Sequence, residues 1–257
     1  MSYKIVFFDV DGTLIDYSKG VISATTITAI HQLLDKGIKV VAATGRPLSM
    51  CTELQQLGID TFITANGAYA KHQETVIFSS VLDRNITEAI QEYAKQKGHA
   101  LSFFTETLTM NGIQNTSTLR ALQQTLSLHD YPEVDPFIIE KDIYLMCLYA
   151  EHHVVEEYKA AFPHLLFEQW HPTIANVLQR EVSKAIAAKA VLEYFGFKPE
   201  EAIAFGDGEN DIELLGLAGF GVAMGNGSDK LKRAADFVTK DCDKDGIAFA
   251  LKDLQLI

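Results

Sequence analysis

The stretch Ile5-Val6-Phe7-Phe8-Asp9-Val10-Asp11-Gly12-Thr13 decides how the rest of the chain is read. Four consecutive apolar residues, rich in β-branched and aromatic types, predict a strand buried on both faces, as in a parallel sheet. The run ends on two carboxylates spaced two residues apart, which an extended backbone points to the same side. Like charges held that close repel unless a cation or a proton intervenes. Taken alone, Asp-Gly also reads as a hairpin turn. An EF-hand loop does not fit, because counting from Asp9 the positions that require glycine and glutamate hold Leu14 and Gly20.

The same habit recurs along the chain. Lys39–Ala43 runs into Thr44-Gly45-Arg46-Pro47, and Thr61–Thr64 into Ala65-Asn66-Gly67. Ala202–Phe205 runs into Gly206-Asp207-Gly208-Glu209-Asn210-Asp211, and Phe220–Ala223 into Met224-Gly225-Asn226-Gly227. Helical periodicity lies between these segments: Ile27, Ile30, Leu33 and Leu34 before Gly37, then residues 184–195 and 210–218. Strands alternating with helices imply right-handed crossovers and a mainly parallel sheet. Ligands in such sheets bind beyond the carboxyl ends of the strands, so these polar tails are expected to converge on one crevice.

The middle of the chain has a different rhythm. A helix over 85–97, short strand-like runs near 100–105 and 108–110 and a helix near 117–128 come first. Strands at 142–149, 165–168 and 175–178 then follow, with a helix at 154–161 before the second of them. Strands without regular crossovers suggest an antiparallel sheet with helices on one face. The expected organisation is α/β: a Rossmann-like parallel-sheet core from residues 1–80 and 182–257, with an inserted α+β domain at 81–181.

Composition narrows the class of function. The 257 residues are 47% hydrophobic and 22% charged, ordinary for a globular protein able to bury a core. The formal charge of −12 and the lack of a basic stripe argue against nucleic acid as a partner. No apolar run reaches membrane-spanning length, and only four apolar residues separate Lys4 from the acidic pair, unlike a secretory leader. Cys51, Cys147 and Cys242 form no CxxC pattern, and His152-His153 has no HExxH context, so neither a disulfide framework nor a zinc site is expected. A cytoplasmic protein is the resulting expectation. The glycine-rich stretches at 206–211 and 219–224 miss GxGxxG, and no GxxxxGK[ST] occurs, which sets aside dinucleotide and P-loop sites.

Asp9, at the end of the first strand, is placed to act as a nucleophile forming an acyl phosphate. Its own charge would repel an anionic ester unless a cation intervened. Magnesium suits that task, since it takes oxygen ligands from one or two carboxylates together with substrate phosphate oxygens. Asp9 and the distant Asp207 are the candidate ligands, with Asp211 close enough for a coordinated water. Asp11 can protonate a leaving oxygen and later activate water. Ser183 reads as an N-cap that puts Lys184 in the first helical turn, where a bound anion would offset the unfavourable dipole; an exposed lysine is the plainer alternative. Thr44 and Gly45 offer a hydroxyl and an approachable amide, Asn210 a donor or a helix cap, and Arg46 a partner for an anion.

Taken in order, Asp9-Val10-Asp11-Gly12-Thr13, Thr44-Gly45-Arg46, Lys184 and Gly206-Asp207-Gly208-Glu209-Asn210-Asp211 resemble the four motifs of the haloacid dehalogenase (HAD) superfamily, in its DxDGT phosphatase branch. The long insert resembles a C2 cap, and Asn66-Gly67 with Val222–Gly225 resembles the Cof-type subgroup. Ala185 departs from the glycine common after the lysine in that subgroup, at a helical position alanine favours.

The resemblance implies a Rossmann-like core with a mobile α+β cap and Mg²⁺-dependent hydrolysis of phosphomonoesters on small metabolites, sugar phosphates among them. Asp9 would be nucleophile and metal ligand, and Asp11 acid/base and metal ligand through its carbonyl. Asp207 would be a metal ligand, with Asp211 supporting it. The Val10 amide, Thr44, Gly45, Lys184 and Asn210 would hold phosphate. It also implies a small hairpin flap after Asp11. Trp170 and His171, at a strand end in the insert, are candidate substrate contacts, as is Arg46. Two other readings remain open at this point: a phosphomutase or phosphotransferase, and a catalytically silent regulatory protein on the same fold. Oligomeric state is not legible.

Overall fold

The computed structural model describes residues 3–17 and 19–257. Strand β1 (Ile5–Asp9) is followed by α1 (Ala24–Asp35), β2 (Lys39–Ala43), α2 (Thr52–Gln56), β3 (Thr61–Thr64), β4 (Tyr69–His72) and β5 (Thr75–Ser79). Next come α3 (Arg84–Lys97), β6 (Ala100–Phe104), β7 (Leu108–Met110), α4 (Thr116–Leu126), β8 (Leu145–Tyr149), α5 (His152–Ala161), β9 (Leu165–His171) and β10 (Ile174–Gln179). The chain closes with α6 (Lys184–Phe195), β11 (Ala202–Gly206), α7 (Ile212–Leu217), β12 (Phe220–Ala223), α8 (Asp229–Ala234), β13 (Phe237–Val238) and α9 (Gly246–Asp253). Two compact units result, one running to Ser79 and resuming over Ser183–Ile257, the other Ser80–Val182.

The discontinuous unit holds one sheet in the order β13-β12-β11-β1-β2-β3-β4-β5. Pairings from β13 through β3 are parallel, and β4 and β5 extend the edge antiparallel. Alternation along β1 explains its unbroken apolar run. Val6 and Phe8 pack with α1 and α9 through Ala29, Ile30, Leu33, Ile247 and Leu251. Ile5 and Phe7 face the other way, onto Ala187, Val191 and Leu192 of α6 and Leu214 and Leu215 of α7. Each such burial is worth roughly 1.5–3 kcal/mol, so a polar residue at any of these positions would be costly.

Local chemistry sets the helix ends. Ser23, Asp83, Asn115, Ser183 and Ser228 cap α1, α3, α4, α6 and α8, each accepting a backbone N–H with its side chain. The periodic segment 210–218 forms a shorter helix than its pattern suggests, because Glu209–Asp211 is a 3₁₀ turn that leaves α7 only Ile212–Leu217.

The continuous unit is an antiparallel sheet, β7-β6-β8-β10-β9. One face is apolar: Leu101, Phe103, Met146, Leu148, Ala175 and Val177 pack with Ile90 and Ala94 of α3 and Val155 and Tyr158 of α5. A parallel-sheet core carrying an inserted α+β domain is therefore the fold class, as the sequence rhythm predicts.

Candidate active site

Because β1, β2, β3 and β11 are parallel, their carboxyl ends emerge on one edge of the sheet. There the loops bring together residues far apart in sequence. Asp9, the last residue of β1, is 7% exposed, Lys184 is 1% exposed and Asp211 is fully buried. The Lys184 ammonium donates to Asp9 Oδ1 at 2.5 Å and to Asp211 Oδ1 at 2.7 Å. The sequence left open an exposed lysine at this position; the structure instead buries it between two carboxylates.

Asp211 is held on both sides, since its Oδ2 accepts from the backbone amides of Asp207 at 3.1 Å and Gly208 at 3.0 Å. Gly206 makes this possible, because a Cβ there would lie 2.4 Å from the Asp211 Cβ. Asp207 accepts from the Thr13 hydroxyl at 3.1 Å. Carboxylate oxygens of Asp9, Asp207 and Asp211 all lie within 4.8 Å of one another. Gly12, at φ +89°, allows a close approach, since a Cβ there would lie 2.3 Å from both Asp207 Oδ2 and Tyr17 Cε2.

Electrostatics follow from this crowding. Burial, then the charge of Asp211, lifts the Asp9 carboxyl well above the usual carboxylate range, against the opposing pull of Lys184. Burial likewise pushes Asp207 up to about 6, with Asp211 adding to the shift and contacts from Asp9 and Thr13 opposing it. Burial alone would lower Lys184, yet Asp211 and Asp9 outweigh it and hold the ammonium charged. Were all three carboxylates ionised, one ammonium would leave two negative charges uncompensated, the repulsion that joins burial in lifting Asp9 and Asp207. Asp9 Oδ2 is buried and has no hydrogen-bond donor. A donor-free buried carboxylate oxygen in an all-oxygen cluster with a charge deficit of two fits a hard divalent cation.

Around this cluster, Thr44 is buried, and its hydroxyl accepts from the Arg46 amide at 3.1 Å. Asn66, in the left-handed region, accepts from the Asn210 side chain at 3.2 Å and lies against Gly45. Val10 is buried, and its carbonyl accepts from the amides of Thr13, Leu14 and Ile15, closing the turn after β1. That turn leads into a flap in which Asp16 and Val21 form an antiparallel bridge.

Arg46 is engaged with a protein carboxylate. Its Nε donates to Asp11 Oδ2 at 2.9 Å and its Nη2 to Asp11 Oδ1 at 2.5 Å, a bidentate pair. Three contributors carried no role in the sequence. Thr13 holds Asp207. Asn226 donates to the Gly12 carbonyl at 2.8 Å and accepts from the Cys242 amide at 2.8 Å, tying the loop after β1 to the C-terminal segment. Tyr17 stands over Gly12, its ring edge beside the Asp207 carboxylate. Asn226 had a weak signal in its place among the strand-end tails; Tyr17 had none. Trp170 and His171 lie in the other unit, on β9, where Trp170 Nε1 donates to Asn176 Oδ1 at 2.9 Å and His171 pairs with Gln124 and Thr173.

The fold has close counterparts. A family profile described as haloacid dehalogenase-like hydrolase matches residues 6–251. YkrA of Bacillus subtilis (strain 168), a protein named as a candidate phosphatase, is 36% identical over 260 residues, covering 100% of both chains. A hypothetical protein from Geobacillus kaustophilus HTA426 superposes with a TM-score of 0.92 at 39% identity, covering 100% of both chains. The HAD subclass IIB sugar phosphatase BT4131 superposes with a TM-score of 0.86 at 32% identity, covering 99% of this chain and 100% of that one. No helix among the described residues is long and apolar enough to cross a membrane. The chain therefore belongs to the haloacid dehalogenase-like hydrolases and is a phosphatase of that family.

Proposed function

We propose that the protein is a Mg²⁺-dependent phosphatase of small phosphorylated metabolites, sugar phosphates among them, acting through an aspartyl-phosphate on Asp9. The single observation that carries this reading is the Asp9 carboxylate: buried, tied through one oxygen to Lys184, and donor-free at the other. A carboxylate so placed is oriented, and its second oxygen is not committed to a protein donor.

Asp9, Asp207 and the Asp11 carbonyl would hold magnesium, which supplies charge neutralisation between the nucleophile and the anionic ester. A carboxylate oxygen of Asp9 attacks phosphorus as the bond to the ester oxygen breaks. Asp11, kept on Arg46 through one oxygen and protonated on the other, gives that proton to the ester oxygen, so the alcohol leaves neutral. In the second half, Asp11 takes a proton from water, the water oxygen attacks phosphorus, and the bond to Asp9 breaks, regenerating the carboxylate. Lys184, the Thr44 hydroxyl, Asn210 and the amides of Val10 and Gly45 would bind the phosphoryl oxygens, and Asp211 keeps Lys184 charged and aimed. Arg46 fixes the plane of the Asp11 carboxylate.

The unit Ser80–Val182 is assigned as a C2-type cap that encloses substrate, with Trp170 and His171 as candidate contacts. Relatives support the substrate class: YitU of Bacillus subtilis (strain 168), a 5-amino-6-(5-phospho-D-ribitylamino)uracil phosphatase, is 30% identical over 272 residues, covering 97% of this chain and 96% of its own. A cytoplasmic setting is part of the same reading, supported by three unpaired cysteines.

The test is to quench the enzyme in acid during turnover of p-nitrophenyl phosphate and map any phosphorylated peptide. One phosphoryl group on the peptide containing Asp9 is expected, absent in Asp9→Asn, whose turnover should fall by at least about 10³-fold. Full turnover by Asp9→Asn would overturn the covalent route.

A further inference from the structure

Tyr17 is the most exposed large hydrophobic residue among the described residues, 71% accessible, yet it belongs to the rim of the carboxylate cluster. Its ring edge and Asp207 Oδ2 each lie 2.3 Å from the position a Cβ would take on Gly12, so the ring and that carboxylate are neighbours over the same glycine. Tyr17 follows Asp16, whose carbonyl accepts from the amides of Lys19 and Gly20 and which bridges to Val21. Its ring edge borders Asp207, a member of the carboxylate cluster, so the exposed ring lines the approach to that cluster. Asp9 and Asp207 share one cluster, so an ester whose phosphoryl group meets Asp9 comes within reach of a side chain that borders Asp207.

We propose that Tyr17 is a specificity-determining residue whose ring packs against the organic group of the substrate and selects esters carrying a ring with a flat or C–H-rich face. The assignment rests on the phosphatase reading above, and it deepens that reading by naming the kind of leaving group. The contact is apolar and lies outside the reacting atoms, so it acts on binding. Losing the ring should therefore weaken the grip on ring-bearing ligands and leave small ones alone. The hydroxyl is not required for the contact.

Binding of two non-hydrolysable ligands by calorimetry, with magnesium present, tests this without turnover. Phenylphosphonate should bind the natural protein about tenfold more tightly than methylphosphonate. Tyr17→Ala should erase that preference by weakening phenylphosphonate alone, and Tyr17→Phe should keep it. An unchanged preference in Tyr17→Ala, an equal loss for both ligands, or failure of either phosphonate to bind the natural protein would overturn the assignment. Turnover by Asp9→Asn is scored separately: activity there would sink the covalent mechanism while leaving the phosphonate preference interpretable.

Discussion

Both units bury polar side chains, and one group of them in each makes a contrast. In the antiparallel sheet, Ser102, Cys147 and Asn176 stand in register across β6, β8 and β10. Ser102 meets the Tyr149 hydroxyl at 3.3 Å, and Asn176 Oδ1 accepts from Cys147 and Trp170. These groups are neutral and partnered. At the end of the parallel sheet the buried groups are charged, carboxylates outnumber the ammonium, and Asp9 Oδ2 has no donor. A neutral, satisfied row stabilises a fold; an under-compensated cluster costs stability and is retained where chemistry needs it.

Lys184→Met sharpens the contrast most. With the ammonium gone, three carboxylates repel in a buried site, so turnover should fall by at least about 10³-fold. Breaking a buried ion pair should also lower unfolding free energy at neutral pH by about 3–5 kcal/mol, read by urea titration. Arg46→Ala comes next. Asp11 would lose its bidentate partner but keep its carboxylate, so kcat for an alkyl phosphate, whose leaving oxygen needs a proton, should drop roughly 10²-fold. The drop for p-nitrophenyl phosphate in the burst that phosphorylates Asp9 should be much smaller, and an equal drop in that half-reaction would mean that Arg46 serves the phosphoryl group instead of Asp11. On the neutral side of the comparison, Asn176→Leu should cost only about 1–2 kcal/mol, with a size that does not change between pH 4 and 7.

The pH dependence separates the two regions further. Asp207 has a folded value of about 6 against an ordinary 3.8, so the folded protein binds more protons than the unfolded chain between those limits. The contribution of this group to metal-free stability is therefore greatest below pH 4 and is lost as the pH rises through about 6. Thermal unfolding of chelated protein from pH 4.5 to 7 should show this falling component, and Asp207→Asn should flatten it.

What the sequence revealed depended on which forces were local. The doubly buried β1 was legible because an apolar run that short and unbroken suits a strand covered on both faces better than an amphipathic helix or a half-exposed strand. The edge strands β4 and β5 were not, since Tyr69-Ala-Lys-His72 and Thr75–Ser79 are short, mixed in polarity and half exposed. Asp9, Asp207 and Asp211 could be nominated together because parallel connectivity sends every strand end to one edge. Burial of Lys184 was undecided, because it depends on Asp211 arriving from a loop 27 residues away. Arg46 suits an anion partner, and in the structure that partner is Asp11, an equally good match for a planar guanidinium. Tyr17 left no trace, since a single aromatic in a turn has no periodicity to betray it.

The most direct test of the central claim is thermal unfolding of metal-free protein at pH 7 with increasing magnesium, run in parallel on the natural chain and on Asp207→Asn. If Asp9 and Asp207 share one divalent ion, magnesium should raise the melting temperature of the natural chain saturably, and the variant should show little or no rise. An equal rise in both proteins would place the ion elsewhere and contradict the account.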